Sequence, residues 1–200
     1  LLVPTGEGVG LTSACLGLIY ALECQGVKAG FLKPFAQELN EIEDRTTALY
    51  RHISQSETVE PIRYSKVLQQ INLGEQDELL EEAVRLHRQI AKQHDLIIVE
   101  GLLPNTQDSF ADDLNAALAQ ALDAKVIVVS NANILKPSQT ADKIEHQLRN
   151  FGGASSTRLA GIMLMRTKGL PEESAQIPVT LNPDLRLKTE TAEFIKAIQQ

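Results

Sequence analysis

The spacing of apolar residues along the chain predicts strands and helices in regular alternation. Short apolar runs typical of buried strands occur at residues 1–3, 27–32, 95–99, 125–130, 159–165 and 177–181. Between them, apolar residues recur every three or four positions, which predicts helices at residues 11–24, 42–53, 110–122, 137–150 and 189–198. Residues 66–93 are predicted to contain at least one long helix. Such alternation is typical of right-handed crossovers between parallel strands. We therefore expect a three-layer α/β fold, a mostly parallel sheet with helices on both faces.

The chain shows no internal repeat and no low-complexity tract, so residues 1–200 are predicted to form one domain. Residues 167–176 are the most linker-like stretch and are expected to be a surface loop. The chain begins inside a predicted strand and ends inside a predicted helix, which suggests a piece of a longer protein. In a sheet of this kind, ligands bind outside the carboxyl ends of the strands. The segments expected there are residues 4–12, 33–37, 100–104, 130–135 and 165–167.

A glycine-rich turn joins the first predicted strand to the first helix, with the sequence PTGEGVGLTS over residues 4–13. Gly6, Gly8 and Gly10 allow backbone N–H groups to converge on an anion, and the helix that follows offers its positive end. Thr12 or Ser13 stands where a nucleotide-binding loop supplies a hydroxyl to magnesium. These features indicate a P-loop-like phosphate site.

The loop nevertheless lacks its usual lysine, because Leu11 occupies that position and Glu7 adds a negative charge. The loss of a lysine–phosphate contact costs on the order of 2–3 kcal/mol of binding energy. Two interpretations remain open: a tight turn that binds nothing, or a site kept for an anionic effector. ATP hydrolysis is disfavoured.

Three charged residues are predicted near this loop. Glu100 ends a strand where an acidic magnesium ligand is expected, or else it is held by nearby backbone amides. Asp44 is a second candidate ligand or an N-terminal helix cap. Lys33 follows the second strand, where it would meet an anionic ligand or Glu100. No Ser/His/Asp set gathers at the strand ends and no metal spacing is evident, so we predict no catalytic residue and no required cofactor.

Composition narrows the classes of function. Nineteen Lys and Arg against 26 Asp and Glu give a formal charge of −7, which disfavours nucleic acid and anionic membrane surfaces as partners. No apolar run is long enough for a membrane span. Cys15 and Cys24 lie on one predicted helix about 13 Å apart, too far for a disulfide. Free thiols suit a reducing cytoplasm.

Several segments resemble the amino-terminal region of the long form of bacterial phosphate acetyltransferase. They are the loop at residues 4–13, Gly26-Val27, Leu32-Lys33-Pro34-Phe35-Ala36-Gln37, Asp44-Arg45-Thr46-Thr47, Val99-Glu100-Gly101-Leu102-Leu103-Pro104, Phe110-Ala111-Asp112-Asp113-Leu114-Asn115, Phe151-Gly152-Gly153-Ala154 and Ala160-Gly161-Ile162. The resemblance runs from the first residue to about residue 161 and becomes weaker after residue 165. That region is in turn similar to dethiobiotin synthetase, an ATP-dependent carboxylase of the P-loop class.

The resemblance implies an enzyme that interconverts acetyl-CoA plus phosphate with acetyl phosphate plus CoA. It also implies that a carboxyl-terminal acetyltransferase domain, absent from these 200 residues, carries the chemistry. The amino-terminal domain would then regulate the enzyme through metabolites such as pyruvate, NADH or a nucleotide, and would help to hold a homo-oligomer together. The expected effector site comprises Gly6, Gly8, Gly10, Thr12, Ser13, Lys33 and Glu100.

The chain departs from the synthetase pattern at two places. Leu11 replaces the synthetase lysine, and Met165-Arg166 stands where such folds often place an asparagine for purine recognition. Lys33, Asp44 and Glu100 fall on the synthetase's substrate and magnesium positions. A regulatory domain is therefore the first hypothesis, and an ATP-dependent ligase resembling dethiobiotin synthetase is the alternative.

Overall fold

A computed structural model describes residues 1–37, 44–54, 58–104, 110–133 and 135–166. The strands are β1 (Leu2–Pro4), β2 (Ala29–Leu32), β3 (Leu96–Val99), β4 (Val126–Asn131) and β5 (Leu159–Met165). The helices are α1 (Leu11–Cys24), α2 (Arg45–Ser54), α3 (Tyr64–Leu73), α4 (Gln76–Ala91), α5 (Ala111–Ala121) and α6 (Pro137–Arg149). Within the described ranges, the predicted order of elements is confirmed. The strand predicted at 177–181, the helix at 189–198 and the loop at 167–176 lie outside the described residues.

The helical pattern predicted over residues 66–93 is divided in the structure. Gly74, with φ of 74°, ends α3, and its N–H bonds back to the carbonyl of Ile71 at 3.1 Å. Helices commonly end at a glycine with a left-handed backbone, because glycine adopts that conformation without steric cost. The acidic residues Asp77 and Glu78 then fall in the first turn of α4, where the helix dipole favours them.

The strands form a parallel sheet in two hydrogen-bonded groups, β1-β4-β5 and β2-β3. A parallel bridge between Leu2 and Glu100 joins the groups, and Gly101 N–H donates to Leu2 O at 2.9 Å. The order across the sheet is therefore β2-β3-β1-β4-β5. Because β1 lies between β3 and β4, the chain builds outward from it in both directions. This reversal of strand order is where an α/β sheet opens a ligand crevice.

Apolar clusters cover both faces of the sheet. Leu2 packs with α1 and with Tyr50 of α2 on one face, and its neighbour Val3 packs with α4, α5 and α6 on the other. Adjacent strand residues point to opposite faces, so this division is what a sheet buried on both sides requires. The expected three layers are confirmed. Among the described helices, none combines the length and the apolarity needed to span a bilayer.

Candidate functional site

The glycine-rich loop leads directly from β1 into α1, as predicted. Gly8 and Gly10 have φ of 68° and 86°, in the left-handed region that side chains with a Cβ rarely adopt. Gly10 also lies close to Met165, because a Cβ added at Gly10 would be 3.6 Å from Met165 Cε. The α1 ladder begins here, where Ala14 N–H donates to Gly10 O at 2.9 Å. The sequence positions of these glycines thus match the backbone that the turn needs.

The end of β4 holds the loop in place. Thr5 donates twice, from its N–H to Val129 O and from Oγ1 to Ser130 Oγ, both at 2.9 Å. Asn131 Nδ2 donates to Gly8 O at 3.3 Å. The loop is therefore fastened to the neighbouring strand at both its beginning and its middle.

A relay of asparagines continues from this contact to the end of β5. Asn131 Oδ1 accepts the N–H of Asn133 at 2.9 Å, and Asn133 Nδ2 donates to Arg166 O. The N–H of Ala132 bonds to Met165 O at 3.0 Å. Hydrogen bonds thus connect the glycine-rich loop to the end of the last described strand.

The position of the missing lysine is closed to a phosphate. Leu11 is 4% exposed and packs in the apolar cluster of α1. A different cation reaches the loop, since a Cβ added at Gly6 would lie 3.6 Å from Nζ of Lys143 on α6. Lys143 is an exposed residue. Within the described part of the chain, no carboxylate pairs with Lys143.

Lys33, Asp44 and Glu100 form a buried ionic cluster beside the loop, hereafter the ionic triad. Lys33 Nζ lies 2.6 Å from Asp44 Oδ2 and 3.4 Å from Glu100 Oε1. The three residues are 5%, 4% and 3% exposed, in that order. One ammonium therefore faces two carboxylates with almost no contact with water.

Threonines of α1 and α2 line the ionic triad. Thr46 Oγ1 donates to Glu100 Oε1 at 3.3 Å and lies 3.2 Å from Thr12 Oγ1. Asp44 Oδ1 accepts from both N–H and Oγ1 of Thr47, at 2.9 and 3.0 Å. Asp44 thus caps α2, as one of its two interpretations expected, and its other oxygen pairs with Lys33. Ser13 is exposed, and Thr12 is the hydroxyl that reaches the triad.

Burial dominates the electrostatics of Glu100. Loss of solvation raises its pKa above the ordinary 4.5 of a glutamate, while Lys33 acts in the opposite direction and Asp44 raises it further. Its Oε2 has no hydrogen-bond partner among the described residues. Burial, aided by the Glu100 carboxylate, likewise raises the pKa of the Cys15 thiol. Cys15 is therefore a protonated packing residue and a poor nucleophile.

The backbone behind Glu100 is fixed by Gly101 and Asn115. A Cβ at Gly101 would lie 2.8 Å from Leu2 O and 2.9 Å from Asn115 Oδ1, so only glycine fits. Asn115 bonds to both N–H and carbonyl of Leu102 at 2.8 Å. The backbone that carries the Glu100 carboxylate is therefore held by close packing at Gly101 and by the hydrogen bonds of Asn115.

The structure brings most of the predicted site residues to one crevice. Gly6, Gly8 and Gly10 form the loop, and Thr12, Lys33, Asp44 and Glu100 form a connected polar cluster beside it. Sequence reasoning did not identify Thr46 or Lys143. Thr46 directly follows a candidate helix cap, which was a usable signal, whereas Lys143 lies in the middle of an amphipathic helix and offered none.

Comparison with known proteins supports the fold and the family. Residues 1–183 match the family described as "AAA domain". The solved Signal Recognition Particle 54 kDa protein from Aeropyrum pernix K1 in complex with GDP shares the fold, with a TM-score of 0.55 and 16% identity over 84% of this chain and 35% of that chain. The P-loop NTPase-like class expected from the sequence is confirmed.

Phosphate acetyltransferases are the relatives with high identity. The protein from Acinetobacter baylyi (strain ATCC 33305 / BD413 / ADP1) is 64% identical over 200 residues, which cover all of this chain and 28% of that protein. The protein from Haemophilus influenzae (strain ATCC 51907 / DSM 11121 / KW20 / Rd) is 36% identical over 187 residues, 92% of this chain and 26% of that protein. The chain thus spans little more than a quarter of the length of these relatives. It belongs to the AAA domain family and is homologous to the amino-terminal region of long-form phosphate acetyltransferases.

Proposed function

We propose that this chain is the non-catalytic amino-terminal domain of a phosphate acetyltransferase, where it senses an anionic metabolite and helps to assemble the enzyme. An enzyme of that name moves an acetyl group between the sulfur of CoA and an oxygen of phosphate. The 64% identity to one such protein over all 200 residues of this chain supports the parentage. These residues cover 28% of that protein, which leaves room for a separate acetyltransferase domain. The parent would be a cytoplasmic homo-oligomer.

The non-catalytic assignment depends on the buried apolar side chain of Leu11 at the position of the usual lysine. Phosphoryl transfer depends on cations that neutralise the charge developing on the phosphate oxygens. Leu11 is buried among apolar side chains, and Lys33 forms ion pairs with Asp44 and Glu100. Neither residue supplies that charge to a triphosphate over the loop, and Lys143 approaches the loop at Gly6, not at the position of Leu11. The ATP-dependent ligase is therefore the weaker candidate.

The loop still offers an anion a place to bind. The loop leads into the positive end of α1, Gly8 and Gly10 have left-handed backbone, and the Lys143 ammonium lies near Gly6. Pyruvate, NADH and nucleotides each carry an anionic group of the required kind. Such an effector regulates only through a difference in its affinity for two arrangements of the domain and its catalytic partner.

Activity measurements test the parentage and the division of labour. The gene is read past the codon for Gln200, and both the encoded full-length protein and this 200-residue chain are assayed for acetyl transfer and ATP hydrolysis. We expect acetyl transfer from the full-length protein only, and no ATP hydrolysis by the chain. ATP turnover by the chain that is lost in Glu100→Gln would overturn the non-catalytic assignment.

Calorimetry tests the effector site. Pyruvate, NADH and ATP are titrated into the chain, into Lys143→Ala and into Lys92→Ala, which removes an exposed lysine at the opposite edge of the sheet. Loss of one contact between the ammonium and the anionic group of the effector should weaken binding about tenfold in Lys143→Ala and leave Lys92→Ala unchanged. Equal affinities in all three proteins would place the effector elsewhere.

A further inference from the structure

The crevice holds oxygen donors of the kind that magnesium prefers. They are the Asp44 and Glu100 carboxylates and the Thr12 and Thr46 hydroxyls. Proteins of the P-loop class bind a magnesium–nucleotide complex next to such donors. Judged by residue type alone, the site would suit a divalent cation.

The positions of the atoms contradict that fit. A magnesium ion binds carboxylate oxygens at about 2.0–2.1 Å, and an ion bridging Asp44 Oδ2 and Glu100 Oε1 would have to occupy the volume in which Lys33 Nζ lies. The ammonium is 2.6 and 3.4 Å from these two oxygens. Lys33 is 95% buried, so its charge is poorly screened and would repel a nearby metal strongly.

The hydroxyls are also engaged within the protein. Thr46 Oγ1 donates to Glu100 Oε1, the same oxygen that faces Lys33, and Thr12 Oγ1 is 3.2 Å from Thr46 Oγ1. Only Glu100 Oε2, buried and without a hydrogen-bond partner in the described residues, remains as a donor on Glu100. Asp44 Oδ2 and Glu100 Oε1 both face the ammonium, so a magnesium ion coordinated by these two oxygens would have to displace Lys33 Nζ.

We propose that the Lys33 ammonium is the resident cation of this crevice, in the place where related folds hold a divalent metal, so that the chain does not bind one there. The Lys33 side chain supplies the positive charge that a metal ion would otherwise supply, and any anion that binds at the loop does so without a bridging metal. This inference rests on the ionic triad and is independent of whether an effector binds.

The same geometry predicts how a metal site would appear. Lys33→Met keeps an unbranched stem of similar length and removes the charge. Two buried carboxylates then face each other with Thr12 and Thr46 nearby, and a divalent cation can compete with protons to neutralise them. Lys33→Met should therefore acquire the site that the wild-type chain has lost.

Manganese, which replaces magnesium at oxygen sites and is visible by electron paramagnetic resonance, is the probe. Free Mn²⁺ is titrated in the presence of the wild-type chain, Lys33→Met, Lys33→Met/Glu100→Gln and the control Lys28→Met, which alters an exposed lysine just before β2. We expect one site in Lys33→Met, about a hundredfold tighter than any in the wild type. The double variant should lose it, and Lys28→Met should behave as the wild type.

Two results would overturn the proposal. One is a wild-type chain that binds one Mn²⁺ and loses it in Glu100→Gln, because the ammonium would then leave room for metal. The other is a folded Lys33→Met chain with no gain in Mn²⁺ binding.

Thermal unfolding covers the case in which the loss of Lys33 impairs folding. A ligand that binds only the native state raises its stability, so Mn²⁺ should raise the melting temperature of Lys33→Met, or of the milder Lys33→Gln, and leave the wild type unchanged. Absence of any Mn²⁺-dependent rise in both variants would also refute the proposal.

Discussion

Removing the Lys33 ammonium should strongly destabilise the fold. At an effective dielectric constant near 20, one charge pair at 2.6 Å and another at 3.4 Å contribute about 6 and about 5 kcal/mol of Coulomb attraction. Much of that attraction is offset by the cost of burying all three charges and by the repulsion between the carboxylates. Removing one partner of a buried pair typically costs 3–5 kcal/mol, and we expect Lys33→Met to lose about 4 kcal/mol.

Urea unfolding at neutral pH, followed by circular dichroism, measures this loss as a change in the unfolding free energy at constant slope. Lys28→Met makes the same substitution at an exposed site and should change the stability by no more than about 0.5 kcal/mol. In the Glu100→Gln background, Lys33→Met leaves only one carboxylate unpaired, so its cost should fall by about 1–2 kcal/mol.

If Lys33→Met loses no more stability than Lys28→Met, the buried ammonium does not stabilise the fold. Equal costs of Lys33→Met with and without Glu100→Gln would show that Glu100 makes no energetic contact with the ammonium. A change in the slope of the unfolding curve would show instead that the compactness of one state had altered.

Further predictions concern single sites. The pKa of Glu100 is raised in the folded state, so its buried charge destabilises the protein at neutral pH, and this penalty is relieved as the pH falls through the raised value toward 4.5. The unfolding free energy of the wild type minus that of Glu100→Gln should therefore rise on acidification in urea titrations. A fall in this difference would contradict the raised pKa. Gly101→Ala should cost about 1–3 kcal/mol because its Cβ would meet backbone at 2.8 Å, whereas Gly161→Ala, with no atom within 4 Å, should be tolerated. Leu118→Ala, at a fully buried position, should cost about 2–5 kcal/mol, and Leu73→Ala, where the leucine is 62% exposed, should cost less than about 1 kcal/mol by the same unfolding assay.

Local sequence patterns predicted the secondary structure well where local forces determine it. The bounds of α1 and of β5 match the prediction at both ends, since the apolar period and the adjacent turn residues lie within the segment itself. The pattern over residues 66–93 predicted at least one helix but did not locate the boundary between α3 and α4, because one glycine in a helical pattern does not reveal its backbone angle. Only the structure shows that Gly74 is left-handed.

The location of the crevice could be predicted from the sequence, but the contacts between its side chains could not. Lys33, Asp44 and Glu100 each follow or precede an element whose end could be located, so the topology alone brings them to one edge of the sheet. Whether the ammonium meets a ligand or inserts between the carboxylates depends on the paths of side chains from three distant segments. Lys143 was beyond prediction for the same reason, because a long side chain on an exposed helix can reach many places.

The asparagine relay gives the glycine-rich loop a mechanical link to the rest of the chain. An occupant that displaced the Gly8 carbonyl would stretch or break the bond from Asn131, whose other amide atom orients Asn133 against Arg166. Arg166 adopts a left-handed φ of 56°, a conformation that costs energy for a side chain of this kind and that the bond from Asn133 helps to hold. Loss of that bond would let the backbone relax at Arg166, directly after the last residue of β5.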